Sequence, residues 1–231
     1  MTFTLEQVVP WGRSLDEYRD MFDLSDADLA SHIIGCADGP ASFNAEATGH
    51  EYRVTSVDPI YRLTPGQIRE RIDATYTEVL EETRQNSQEF VWSSIGSVEA
   101  LGRLRMEAME LFLRDYEDGR RQHRYVDAEL PRLPFEDTSF DLALCSHFLF
   151  LYTEQLTEAF HRAAMDELCR VALEVRVFPL LALDAQPSAH VVPVITHLRD
   201  LGYDLSVDAV RYEFQRGGNQ MMRVRRPTTT L

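Results

Sequence analysis

The chain has 231 residues, 44% of them hydrophobic and 10% aromatic. That is enough for a large core, excludes whole-chain disorder, and suits one domain carrying an insertion. All 23 basic residues are arginine, so lysine Schiff-base chemistry, a phosphate-loop nucleotidase and a kinase with its strand lysine are excluded. The formal charge of -15 disfavours a nucleic-acid partner, and the short basic run 120–124 reads as a solvated turn after a helix.

Ser14 followed by Glu17 is a capping box that opens a helix over Leu15–Phe22, and Ser25 followed by Asp28 repeats the signal. Residues 1–30 therefore read as a helical lead-in to an α/β domain over 31–231. The apolar run 32–37 is the first buried strand, and 41–48 a short helix stopped by Gly49. Residues 52–57, rich in β-branched side chains, form the second strand. Thr64-Pro65 then opens a helix with Ile68, Ile72, Tyr76 and Val79 on one face. A second begins near Ser97, carries Val98, Leu101, Leu104, Ala108, Phe112 and Tyr116, and ends at Gly119. A crossover needs far less, so about 63–119 reads as a helical insertion placed to act as a lid. Strands at 124–128, 140–146 and 172–183 follow, with helices over 153–168 and 188–201. A closing hairpin turns at Gly217-Gly218-Asn219, and the tail 228–231 is expected to fray.

Strand–helix alternation with buried strands predicts a Rossmann-like, mostly parallel seven-stranded sheet. It would have helices on both faces and an antiparallel terminal hairpin. The three cysteines, Cys36, Cys145 and Cys169, lack metal-ligand spacing and read as small buried hydrophobes in a reducing interior. The histidines share no metal spacing either, so no metal site is expected. No secretory or membrane-length segment is evident, and the expectation is a cytoplasmic protein with no membrane partner and an open oligomeric state.

In such sheets ligands bind beyond the carboxyl ends of the strands. The first strand ends in a small-residue loop, Gly35 to Asn44, where a ligand can approach the backbone. The second ends in Asp58-Pro59, a carboxylate placed to accept ribose hydroxyls. The third ends in Asp127-Ala128, followed by the apolar Leu133-Pro134-Phe135. Here the chain resembles the class I, Rossmann-like S-adenosylmethionine-dependent methyltransferases. The resemblance rests on DGPASF, SVDP, YVDAELPRLPFEDTSFDLALCSHFLF and YEFQRGGNQMMRV, and spans most of residues 30–225 outside the insertion.

The resemblance implies S-adenosylmethionine as cofactor, with Asp38, Gly39, Pro40, Ala41 and Ser42 passing under its methionine moiety. It implies Asp58 and Pro59 at the ribose, Asp127 and Ala128 at the adenine, and Ser146 with His147 facing the sulfonium. Gly35 stands where family members usually carry an acidic residue, and Ala37 where they usually carry glycine. Methyl transfer needs a general base only when the acceptor must lose a proton, and His147 is the candidate catalytic residue for that role. The expected activity is methyl transfer to a small molecule. Two alternatives remain open at this point. One is a non-catalytic protein of the same fold that binds S-adenosylmethionine. The other is a nicotinamide-dependent oxidoreductase, which the LPF segment and the absent third glycine oppose.

Overall fold

A computed structural model describes residues 9–226, so the expected fraying of 228–231 lies outside the described residues. The elements in chain order are α1 (Leu15–Phe22), α2 (Asp26–Leu29), β1 (His32–Cys36), α3 (Phe43–Gly49), β2 (Arg53–Val57), α4 (Pro65–Gln85) and α5 (Val98–Arg121). They continue with β3 (Tyr125–Val126), β4 (Phe140–Ser146), α6 (Glu158–Val171), β5 (Ala172–Phe178), α7 (Val191–Asp200), β6 (Asp204–Ala209) and β7 (Gln220–Arg225). The seven strands form one sheet in the order β3-β2-β1-β4-β5-β7-β6. Every neighbouring pair from β3 to β5 is parallel, and β7 pairs antiparallel with both β5 and β6.

Alternation along the strands distributes the core to both faces. Ile34, Ala143 and Cys145 point into a cluster with Met165, Leu168 and Val194 from α6 and α7. Ile33, Leu142 and Leu144 point the other way, onto Tyr18, Met21, Phe22 and Phe43 from α1 and α3. Ile33 and Ile34 are fully buried, and each such side chain contributes roughly 1.5–3 kcal/mol of transfer free energy. The three cysteines are buried and free. Among the described residues, no helix is long and apolar enough to cross a membrane.

The capping signals act as the sequence implies. Ser14 with Glu17, Ser25 with Asp28 and Thr64 with Gln67 form reciprocal capping boxes, and Pro65 opens α4. Several boundaries differ from expectation for local reasons. Helix α6 begins only at Glu158, because the Thr157 hydroxyl accepts from the Phe160 amide and caps it there. Strand β5 stops at Phe178, before Pro179, which has no N–H for the ladder. Gly119 lies inside α5 and does not end it. A β-carbon there would strike the Tyr125 ring, so the glycine serves close packing of α5 on β3. Ala209 pairs with Gln220, so residues 210–219 form a long connection between β6 and β7 and not a tight turn. That connection reaches the insertion: the Val91 amide donates to the Phe214 carbonyl at 2.7 Å, and the Arg216 amide to the Glu89 carbonyl at 2.8 Å.

Helices α4 and α5 pack on each other and build a third cluster of Ile68, Ile72, Met109, Phe112 and Tyr116 with Tyr61 and Tyr125. The Tyr116 hydroxyl lies 2.8 Å from the Tyr61 carbonyl and 3.0 Å from that of Leu63, which pins α5 to the turn after β2. A buried ion pair ties α5 to the lead-in helix. Arg105 donates from both terminal nitrogens to Glu17, at 2.6 and 2.7 Å, and also to the Tyr212 hydroxyl at 3.2 Å.

Candidate active site

Strand β1 lies between β2 and β4, at the point where the strand order reverses. Its register aligns Cys36 with both Val57 and Cys145, so Ala37, Asp58 and Ser146 leave the sheet side by side. Outside these ends lies a cleft of about 460 Å³, within the usual range for ligand sites. Of the residues singled out in the sequence, Asp38, Gly39, Ala41, Asp58, Pro59, Ala128, Ser146 and His147 line it. Pro40 and Ser42 are buried beneath the loop, where the Ser42 hydroxyl bonds the Glu46 carboxylate. Asp127 stands outside the lining and is half-exposed, and Arg62 takes its carboxylate at 3.4 Å.

The loop after β1 depends on Gly35 in an unexpected way. A β-carbon at position 35 would coincide with the Asp38 carboxyl group. Asp38 thus returns its carboxylate to the place where a side chain at the end of β1 would begin. It accepts there from the Tyr18 hydroxyl at 2.7 Å and the Ser56 hydroxyl at 2.6 Å. Burial pushes this carboxyl up to about 7, against the two hydrogen bonds that favour its ionised form. Ala37 and Gly39 both adopt the left-handed region, with φ of 56° and 55°. Gly39 has open space where its side chain would be, with the nearest neighbour, an Asp58 carboxylate oxygen, 3.9 Å away. The backbone is therefore exposed to the cleft at this point.

Asp58 organises the turn after β2. One carboxylate oxygen accepts from the Gly39 amide at 2.9 Å and the other from the Ile60 amide at 2.8 Å. Burial pushes it up to about 6. Each oxygen keeps a second lone pair, so the group has capacity for two further donors. His147 also has a left-handed backbone, with φ of 49°. Its amide donates to the Phe178 carbonyl at 2.7 Å, and its Nδ1 lies 2.9 Å from the Ser146 hydroxyl. Burial, and then the charges of Arg13 and Arg105, hold its pKa well below the ordinary histidine value. The imidazole is neutral at pH 7, and the same burial and charges oppose its protonation.

Part of the arrangement was not singled out in the sequence. Arg13 from the lead-in, and Leu63 and Arg71 from the insertion, complete the cleft wall beside Trp11, one of the aromatic residues expected in a lid. Arg105 could have been noticed, because it is a charged residue on the apolar stripe of α5 between Leu101 and Ala108. Arg13 carries no comparable signal beyond its place next to the apolar VVPWG run.

A family model described as a methyltransferase domain matches residues 104–173. An uncharacterized protein of Methanocaldococcus jannaschii is 32% identical over 223 residues, covering 96% of this chain and 98% of that one. The chain thus carries a segment that matches a methyltransferase domain, set on a mostly parallel seven-stranded sheet. Solved structures of lower similarity include three methyltransferases. The magnesium protoporphyrin IX methyltransferase of Synechocystis PCC 6803 has a TM-score of 0.44, 13% identity, and coverage of 87% of this chain and 73% of that one. A methyltransferase described as putative from Methanococcus maripaludis has 0.45, 10%, 94% and 84%, and the N-methyltransferase NodS of Bradyrhizobium japonicum has 0.44, 13%, 92% and 97%. The matched segment runs from within α5 to β5, through the strand ends that carry Ala128, Ser146 and His147.

Proposed function

We propose that the protein transfers a methyl group from S-adenosylmethionine to a small-molecule acceptor, acting in the cytoplasm and without a nucleic-acid partner. The single observation that carries this reading is the convergence of Asp38, Asp58, Ala128, Ser146 and His147 on one cleft, at the point where the strand order reverses. The residues suit the cofactor. A bare backbone at Gly39 admits a close ligand, and two buried carboxyl groups face it with accepting capacity to spare. S-adenosylmethionine, when bound, supplies a methyl group already activated by its sulfonium.

Asp58 would hold the ribose hydroxyls while its amide bonds keep it fixed. The loop from Asp38 to Ser42 would underlie the methionine moiety, with the Asp38 carboxyl toward its cationic amine. Ala128 would meet the adenine, and Asp127 would join it by releasing Arg62, an exposed pair that costs little to open. His147 would take the proton of an acceptor O–H or N–H, with Ser146 orienting its ring. The acceptor's electron pair would form the new bond to carbon as the carbon–sulfur bond gave up its pair to sulfur. Enclosure of the cleft by the lead-in and the insertion excludes water. The buried free cysteines support a reducing compartment.

Incubation with methyl-labelled S-adenosylmethionine and the low-molecular-weight fraction of a cell extract tests the reading. The native protein should label a small molecule. His147→Ala should slow the transfer by about 10²-fold or more while S-adenosylhomocysteine still binds. Label recovered only in macromolecules would reject the small-molecule acceptor. Cofactor binding without transfer to any fraction would mean a protein that binds S-adenosylmethionine without catalysis.

A further inference from the structure

Beside the cleft lies a second cavity of about 100 Å³, and the two share Val9, Trp11, Arg13 and His147 in their walls. The rest of the second wall is largely apolar. Val79 of α4, Leu101 of α5 and Phe90 between these helices line it together with Phe178, Tyr212 and Phe214. The insertion thus supplies one side, and the end of β5 with the β6–β7 connection supplies the other.

One group contradicts this apolar character. Arg13 is half-buried at the junction of the two cavities. Its Nη1 donates to the Trp11 carbonyl at 3.0 Å. Its Nε is buried without a partner, and no carboxylate among the described residues forms an ion pair with it. The obvious candidate, Glu17, is already taken: both its oxygens are held by Arg105, and Tyr212 and the Ser14 amide add to them. A half-buried guanidinium with an unpartnered Nε gains a charge-assisted hydrogen bond when an anion completes it. The charge of Arg13 is felt by Tyr18 in the cleft and by His147, Tyr152 and Tyr212, which line the second cavity.

We propose that the second cavity is the acceptor site and takes a small molecule with an apolar body and one carboxylate-type anionic group, the anion docking on Arg13 beside His147. The proposal rests on the cleft being the cofactor site. Size narrows the class. A dry cavity of about 150 Å³ holds a benzene ring, so about 100 Å³ suits a short branched chain or a single ring that extends partly into the adjoining cleft. Arg13 and His147 then act on the same molecule. The guanidinium fixes its anion, and the neutral imidazole is left to receive a proton from the atom that is methylated.

The test is a titration of benzoate and of benzamide, which share a ring but differ in charge, followed by nuclear magnetic resonance. It is run on the bare protein and on protein saturated with S-adenosylhomocysteine. Benzoate should bind at millimolar concentration and benzamide at least about ten-fold more weakly. Arg13→Gln should erase that preference and Arg13→Lys should keep part of it, with S-adenosylhomocysteine weakened by less than about ten-fold in both. Val79→Phe, which fills the cavity, should weaken both probes.

Three results would overturn the proposal. Benzoate and benzamide could bind alike, or benzoate could fail to bind at tens of millimolar. Alternatively, Arg13→Gln could weaken S-adenosylhomocysteine by ten-fold or more, which would give Arg13 to the cofactor's own carboxylate. Failure of native protein to bind S-adenosylhomocysteine at all would reject the cofactor reading instead, and the titration on bare protein would still read the preference for an anion.

Discussion

The cleft and the cavity beside it are built by different means. The cleft is made mainly of short consecutive segments at the ends of β1, β2 and β4, and its polar groups are held by backbone amides and buried hydroxyls. The cavity is made of single side chains drawn from positions 9 to 218, mostly apolar, and brought together by the insertion and the β6–β7 connection. A strand edge fixes backbone donors and acceptors for a ligand that does not vary, whereas an insertion can set a shape for one that does. Among the described residues, only Val9, Trp11, Arg13 and His147 belong to both.

The strongest way to break this division is to remove the buried pair behind the cavity. Glu17→Ala strands Arg105, which is fully buried, and should cost about 3–5 kcal/mol in chemical denaturation. The double variant Glu17→Gln, Arg105→Met should recover most of that loss, since it strands no charge. If the two regions are separable, the double variant keeps cofactor affinity. A parallel loss of S-adenosylhomocysteine binding would show that they are one unit.

The next effect falls on the cleft. Gly35→Asp restores the acidic residue that the family usually carries, yet it should abolish S-adenosylhomocysteine binding and cost about 1–3 kcal/mol of stability, because Asp38 fills that space. Adding Asp38→Ser should bring binding back. Binding that survives Gly35→Asp alone would contradict the relocated carboxylate.

A smaller effect concerns pH. With Asp38 at about 7 and Asp58 at about 6, the cleft must release protons to receive a cationic amine and ribose donors. Affinity for S-adenosylhomocysteine should rise about ten-fold from pH 6 to pH 8. Calorimetry in buffers of different ionisation enthalpy should show proton release near pH 6 that fades by pH 8. Asp38→Asn should flatten most of this dependence. For folding, the same raised values mean that the native state holds protons the unfolded chain has lost. Their contribution to stability is complete below about pH 4 and is lost as pH rises through 6 and 7.

The smallest effect is at Ala37, whose φ of 56° is one that glycine adopts without penalty. Ala37→Gly should stabilise the protein by about 1 kcal/mol with cofactor affinity unchanged, as measured by thermal denaturation.

The contrast between the regions also explains what the sequence made legible. Helix starts depend on neighbours within four residues, so Ser14 with Glu17 and Thr64 with Pro65 could be read directly. The strand ends at Asp58 and Ser146 were marked by a proline turn and by the end of an apolar run. The absence of a carboxylate at Gly35 was visible, but its replacement by Asp38 depends on how the loop folds back. Arg13 was not visible at all, because its environment comes from helices and a connection up to about two hundred residues away. Asp127 was legible as a strand-end acid but not as a partner of Arg62, since that contact depends on the turn after β2.

The central claim is that the cleft binds the sulfur nucleoside through Asp58, and calorimetric titration of the native protein and Asp58→Ala with S-adenosylhomocysteine tests it most directly. Two charge-assisted hydrogen bonds of about 1.5–3 kcal/mol each are at stake. One molecule should bind per chain, with a loss of about 10²-fold or more in Asp58→Ala once circular dichroism shows the variant folded. No binding to the native protein at millimolar concentration, or equal affinity in the two proteins, would contradict it.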